Sequence, residues 1–139
     1  MKKNEPVSRI MTTSPVTVQN GQPLSQVRKT MIESHVHHVP IVEGKKLVGL
    51  ISFTDLMKIN FVIHGADERS VDMIIDQQFS IADVMTSHLA TIKPGHTVRE
   101  AAGILAQGHF HSLPVVDEAD EIVGMLTSTD LLNYLVEQY

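Results

Sequence analysis

Residues 49–55 read GLISFTD, and residues 124–130 read GMLTSTD. Each is a glycine, two apolar residues, a hydroxyl side chain, two further residues and an aspartate. Both complete apolar runs, "LVGLIS" (47–52) and "IVGMLT" (122–127), which predict strands. The segments next in the chain, "TDLMKI" and "TDLLNYL", predict helices, with Thr54-Asp55 and Thr129-Asp130 as candidate caps. Beyond these two stretches, roughly residues 7–60 repeat at 81–135. At a shift of 74, Met11 and Thr12 fall on Met85 and Thr86, Thr17 on Thr91, and Gly21 on Gly95. His35 falls on His109, His37 on His111, Pro40 on Pro114 and Val42 on Val116. Past the loops at 43–46 and 117–121 the shift becomes 75. Val48, Gly49, Thr54, Asp55 and Leu56 then fall on Val123, Gly124, Thr129, Asp130 and Leu131.

Each repeat has one local grammar. "VTV" (16–18) and "ATI" (90–92) are expected as short strands, followed by turn residues at Asn20-Gly21 and Pro94-Gly95. Apolar positions 24, 27 and 31, and 98, 101, 102 and 105, keep a helical period, with Pro23 and Thr97 where each helix starts. "VPIV" and "LPVV" read as strands entered through a proline, which lacks an N–H. They form hairpins with the apolar runs above. The order is β-α-β-β-α, an α+β fold of two repeats expected to pack about a pseudo-twofold axis. The expected domains are a first repeat with its N-terminal segment (1–66), a helical linker (67–80) and a second repeat (81–139). In the linker "ERSVDMII" is helical, Gly65 breaks it from the preceding helix, and "SIAD" (80–83) is a capping box. A repeat of roughly 55 residues buries too little apolar surface to stand alone.

Composition narrows the class. The 139 residues carry a net charge of −5, no cysteine, 42% apolar residues and only 4% aromatics. Without disulfides or thiolate metal ligands, the core is Val, Ile, Leu and Met. The absence of any lysine- or arginine-rich run argues against a nucleic-acid partner. "MKKNEPVSRIM" has no apolar stretch behind its lysines, and no run approaches the ~20 residues of a membrane span. The expectation is a cytoplasmic protein with neither a nucleic-acid nor a membrane partner.

The paired G-h-h-[ST]-x-x-D motifs, the h-P-h-V segments upstream and the "MT" near each start resemble the CBS domain, named after cystathionine beta-synthase. The chain resembles a stand-alone tandem pair, or Bateman module, over about residues 5–138. The resemblance implies a regulatory module, not an enzyme. It binds an adenosyl ligand (AMP, ADP or ATP, with S-adenosylmethionine also possible) in the cleft between the repeats and signals to an unknown regulated protein. No cofactor is required, and a homodimer is expected. Carried over by position, Asp55 and Asp130 hold the ribose hydroxyls, and Ser52 and Thr127 help hold phosphate. Thr13, Val16, Val39 and Pro40, with Ser87, Ala90, Leu113 and Pro114, bracket the adenine. His35 and His37, with His109 and His111, reach phosphate. The family often has Arg where His37 and His111 stand, so affinity is expected to depend on pH. A carboxylate accepting from a vicinal diol, beside the free N–H groups of a helix start, is chemistry that supports the same assignment.

Two other readings stay open. One is a structural or interaction module that binds no ligand, with the aspartates serving only as caps. The other is a metal-binding protein: His35 and His37, or His109 and His111, are two apart, so on an extended chain they point the same way. His38 falls on Ser112, outside the repeat, and reads as surface or interface. "GKKLVGL" (44–50) and "GILAQGH" (103–109) lack the Lys-Ser/Thr of a phosphate loop. "DEADE" (117–121) lacks the glycine and terminal Glu of a calcium loop and reads as a solvated hairpin tip. The apolar "INFVIHG" (59–65) reads as core or dimer interface.

Overall fold

The computed structural model describes residues 4–60 and 68–139. Two compact units result: unit A, Met1–Pro15 with Ala90–Tyr139, and unit B, Val16–Leu89. Each has a three-stranded sheet with helices, an α+β fold of two repeats.

In unit B the sheet order is β2 (Val18–Gln19), β3 (His38–Glu43), β4 (Lys46–Ser52), with β2 parallel and β4 antiparallel to β3. Helix α1 (Leu24–Ser34) buries Leu24, Val27 and Met31, spaced three and four apart on one stripe. That stripe joins Val39, Ile41 and Ile51 from the sheet in one core, with Leu56 and Ile59 from α2 (Phe53–Asn60). Helix α3 (Glu68–Gln78) adds Ile75, which is 1% exposed. Polar groups also fasten α3 to α1. Ser25 donates through its N–H and its hydroxyl to Asp76, and Arg28 pairs with Asp72 at 3.1 Å. The segment expected as a linker is therefore part of unit B's core. Helix α4 (Ile81–Val84) begins with the expected capping box of Ser80 and Asp83. Gly65 and all but the first two residues of "INFVIHG" lie outside the described residues.

In unit A the order is β1 (Thr12–Thr13), β6 (Ile122–Thr127), β5 (Ser112–Val116), antiparallel throughout. Helix α5 (Val98–Leu105) and the sheet enclose Ile92, Ala101, Leu105, Leu113, Val115 and Leu126, and Val7 joins them fully buried. Helix α6 (Ser128–Gln138) follows β6 directly.

The two compact units cut across the sequence repeats. The start of each repeat packs with the remainder of the other. Val7, in a 3-10 turn (Val7–Arg9), lies in unit A, and its repeat partner Ile81 lies in the core of unit B. Backbone bonds fix both. Val7 N–H donates to the His96 carbonyl at 2.8 Å, and Val98 N–H to that of Glu5 at 2.8 Å. Thr12 pairs with Met125, and its counterpart Thr86 exchanges hydrogen bonds of 2.9 and 3.0 Å with Leu50.

Several local expectations change. "VTV" forms a strand only from Val18, and "ATI" reduces to a single parallel bridge, Ile92 with Val115. The prolines are the third residues of β3 and β5, not the first. Ile92 N–H donates to the Pro114 carbonyl, so the proline nitrogen faces the side where that ladder only begins and no donor is needed. "DEADE" is more than a solvated tip. Half-buried Asp117 accepts the N–H groups of Ala119 and Glu121 at 2.9 and 3.0 Å and closes the turn.

Candidate functional site

β4 runs straight into α2, and β6 into α6. At the first junction Ser52 N–H donates to Asp55 Oδ2 at 2.8 Å, and Asp55 N–H donates to Ser52 Oγ at 3.2 Å. At the second, Thr127 N–H donates to Asp130 Oδ2 at 2.9 Å, and Asp130 N–H to Thr127 Oγ1 at 3.1 Å. Both are capping boxes. The caps are thus Ser52 and Thr127, not Thr54 and Thr129, which are exposed in the first helical turns. A hydroxyl must precede the first helical residue to reach the third N–H. Both aspartates are half-buried. One oxygen of each serves the cap, and the other accepts no hydrogen bond among the described residues. Each junction therefore gathers a hydroxyl, a helix N-terminus and a carboxylate oxygen within one turn. That set suits a diol on the carboxylate with an anion nearby.

The histidines are brought to the same junctions through the backbone. Phe53 N–H donates to the His37 carbonyl at 2.7 Å. Ser128 donates to the His111 carbonyl through its N–H at 3.1 Å and its hydroxyl at 3.3 Å. The His37 ring lies 5.8 Å from that of Phe53. The expected extended H-x-H geometry does not form. His35 ends α1 with φ +54°, β3 starts only at His38, and β5 only at Ser112. Strand alternation therefore does not align the imidazoles. All four are exposed. Among the described residues no three His, Asp or Glu side chains are gathered as a metal ion requires. His38 is half-buried opposite Ser52, not on the open surface.

The other expected site residues divide by unit. Val39 and Leu113 are fully buried in the two cores, so their side chains are committed to packing. Pro40 and Pro114 alternate with them and face the other side of each sheet. Thr13 pairs with Gly124 and so belongs with Thr127 and Asp130, not with Asp55. Ser87 and Val16 belong to unit B with Ser52 and Asp55, and Ala90 to unit A.

Sequence reasoning missed what the motif glycines are for. A Cβ on Gly49 would stand 2.8 Å from Met85 Cγ, and closer still to its sulfur. A Cβ on Gly124 would stand 2.5 Å from Met11 Sδ and 3.0 Å from the Thr12 carbonyl. The repeated "MT" and the repeated glycine are therefore contact partners. Both signals are visible in the sequence, but their pairing is not.

The CBS domain profile matches residues 7–61 and 81–137. The chain belongs to the CBS domain family. Its two CBS repeats share their fold with CBSX2 of Arabidopsis thaliana, solved in complex with AMP. That protein is 21% identical, with a TM-score of 0.80 over 96% of this chain and 98% of CBSX2. The CBS domain pair of protein MJ0100, solved with 5-methylthioadenosine and S-adenosyl-L-methionine, is 24% identical (TM-score 0.79, 96% and 98% covered). Protein MJ1225 of Methanocaldococcus jannaschii is 27% identical, with a TM-score of 0.81 over 97% of this chain and 49% of that structure. The homoserine O-acetyltransferase of Methanohalobium evestigatum is 28% identical over 96% of this chain and 24% of its own length. The CBS chain thus spans about a quarter to a half of these two curated relatives. No described helix is long and apolar enough to cross a membrane.

Proposed function

We propose that this CBS pair is a cytoplasmic regulatory module that binds an adenosyl ligand and signals to a partner protein, with no catalytic role of its own. The observation that carries the reading is the twin junction. In each unit a half-buried aspartate keeps one carboxylate oxygen beyond its capping bond, beside a hydroxyl and a helix N-terminus. A ribose diol fits the carboxylate, and phosphate fits the N-terminus and the exposed imidazoles. The complexes of CBSX2 with AMP and of MJ0100 with S-adenosyl-L-methionine support the ligand class. AMP, ADP and ATP are the candidates of first choice, and S-adenosylmethionine the next.

The partner surface also has support. On α6, Leu132, Leu135 and Val136 are exposed at helical spacing, with Tyr139 exposed just past its end, and Phe53 and Met57 are exposed one turn apart on α2. Apolar stripes of this kind suit self-association, so a homodimer is the proposed assembly. A ligand shifts such a module only by its differential affinity for two states.

A structural module that binds no ligand is the competing reading, favoured by one observation: both aspartates already have a structural task, closing the capping boxes with Ser52 and Thr127. Thermal shift with AMP, ADP, ATP and S-adenosylmethionine separates the two. A ligand at a hundred times its Kd stabilises by about 2.7 kcal/mol and raises the melting temperature. If none of the four moves it at millimolar concentration, the regulatory reading fails and the structural one stands.

A further inference from the structure

Ser112, the first residue of β5, is 4% exposed, and its hydroxyl is the one buried side-chain polar atom without a hydrogen-bond partner among the described residues. A native structure rarely leaves such a group unmatched, since a buried unpaired hydroxyl is costly. Its position is informative. Ser112 lies directly across the ladder from Thr127, the cap of the Asp130 junction. Cross-strand partners share a sheet face, as do residues two apart on one strand. Ser112, Pro114 and Thr127 therefore lie on one face, opposite the one where Leu113, Val115 and Leu126 form the core. The repeat partner of Ser112 is His38, half-buried at the same place opposite Ser52.

We propose that the Ser112 hydroxyl hydrogen-bonds the nucleoside part of the ligand, its base or sugar edge, and makes the unit A junction the tighter of the two sites. The inference rests on the adenosyl reading above. A neutral, buried hydroxyl suits an uncharged group that is desolvated on binding. Phosphate is better served by the exposed His109 and His111 and the start of α6. Serine matches either a donor or an acceptor, since its hydroxyl is both. In unit B the same position carries the bulkier, half-buried imidazole of His38 in place of a buried hydroxyl.

The test is S112A, titrated with adenosine, AMP and S-adenosylmethionine by calorimetry and melted without ligand. Two opposite changes are expected. The tighter site weakens about tenfold for adenosine and AMP alike, the loss of one ordinary hydrogen bond. The ligand-free protein melts about 3 °C higher, because an unmatched buried group is gone. If S112A binds as tightly as the wild type, the inference fails while adenosyl binding stands. A loss for AMP but not adenosine assigns the hydroxyl to phosphate and also overturns it. A lower melting point shows the hydroxyl already satisfied in the free protein, with the same consequence. If the wild type binds none of the three, the adenosyl reading falls and this one with it.

Discussion

Units A and B follow one plan but close the same turns with different side chains. In unit B, Gln19 clasps the β3–β4 hairpin, donating to the Gly44 carbonyl at 2.9 Å and accepting its N–H at 3.0 Å. In unit A the same repeat position is Lys93, whose ammonium donates to the Asp117 carbonyl at 2.9 Å. In unit B helix α1 ends on His35 in the left-handed region, and Val36 N–H reaches back to the Met31 carbonyl at 3.2 Å. In unit A helix α5 stops three repeat positions earlier. Its chain tightens through Gln107 and Gly108, each bonding three residues back, and Gly108 takes the left-handed turn at φ +81°. The helix starts differ too. Pro23 caps α1 with no side-chain bond, whereas Thr97 and Glu100 close a capping box on α5. The fold thus specifies backbone demands: a turn carbonyl to be met, a helix to be stopped. Any side chain that meets the demand suffices.

Paired substitutions at equivalent positions test how far the two units match. The largest expected effect is in the cores, at the repeat pair Leu113 and Val39, both 0% exposed. Leu113→Ala removes more buried carbon and costs about 3 kcal/mol, whereas Val39→Ala costs nearer 2 kcal/mol. Urea denaturation measures both, and equal or reversed losses would refute the equivalence of the two positions. Next come the motif glycines. All the atoms nearest a Cβ on Gly49 belong to the flexible side chain of Met85, but on Gly124 they include the Thr12 backbone carbonyl. G124A is therefore expected to cost about 2–3 kcal/mol and G49A about 1 kcal/mol, within the usual overpacking range. If urea denaturation finds G49A the worse, the sulfur contact and not the backbone sets the limit.

The smallest effect is a pH dependence confined to one of the two first helices. The Thr97 backbone N–H, and then its hydroxyl, hold the Glu100 carboxyl below the usual glutamate range. The unfolded chain therefore takes up this proton first as pH falls. The stabilisation is complete above the ordinary glutamate value, roughly pH 4.3, and is lost as pH drops through the lower folded value. Gln26 holds the equivalent place in α1 and has no such charge. Glu100→Gln keeps a side chain able to close the box, and is expected to flatten the acid limb of melting temperature against pH. Gln26→Glu should leave that limb unchanged, because Pro23 has neither the backbone N–H nor the hydroxyl that hold the carboxylate in unit A.

Much of the fold was legible because it is local. Apolar periods marked the helices, hydroxyl–carboxylate spacing marked the capping box at Ser80, and Thr97 stood where α5 starts, although its box with Glu100 was not foreseen. The repeat gave two sheets of one design. The site was half legible. The twin Ser/Thr and Asp positions stood out as a motif, but the structure shifts the cap from Thr54 and Thr129 to Ser52 and Thr127 and denies the histidines an extended chain. It also places the side chains of Val39 and Leu113 in the cores, and sets Thr13 beside the Asp130 junction. Ser112 stood out only as the residue aligned with His38 in the repeat, since a serine in a strand carries no further signal until its burial is known.

The duplication, the order of elements and the chemistry at each strand–helix junction were set by sequence alone, because these depend on neighbours a few residues apart. It took tertiary packing to make the repeats exchange their first segments, seating Met11 over Gly124 and Met85 over Gly49. A two-residue strand such as Thr12–Thr13 has no propensity of its own to declare its partner. Its place is fixed by a glycine distant in the chain that leaves room for a methionine, and by carbonyl and N–H groups that need a partner there.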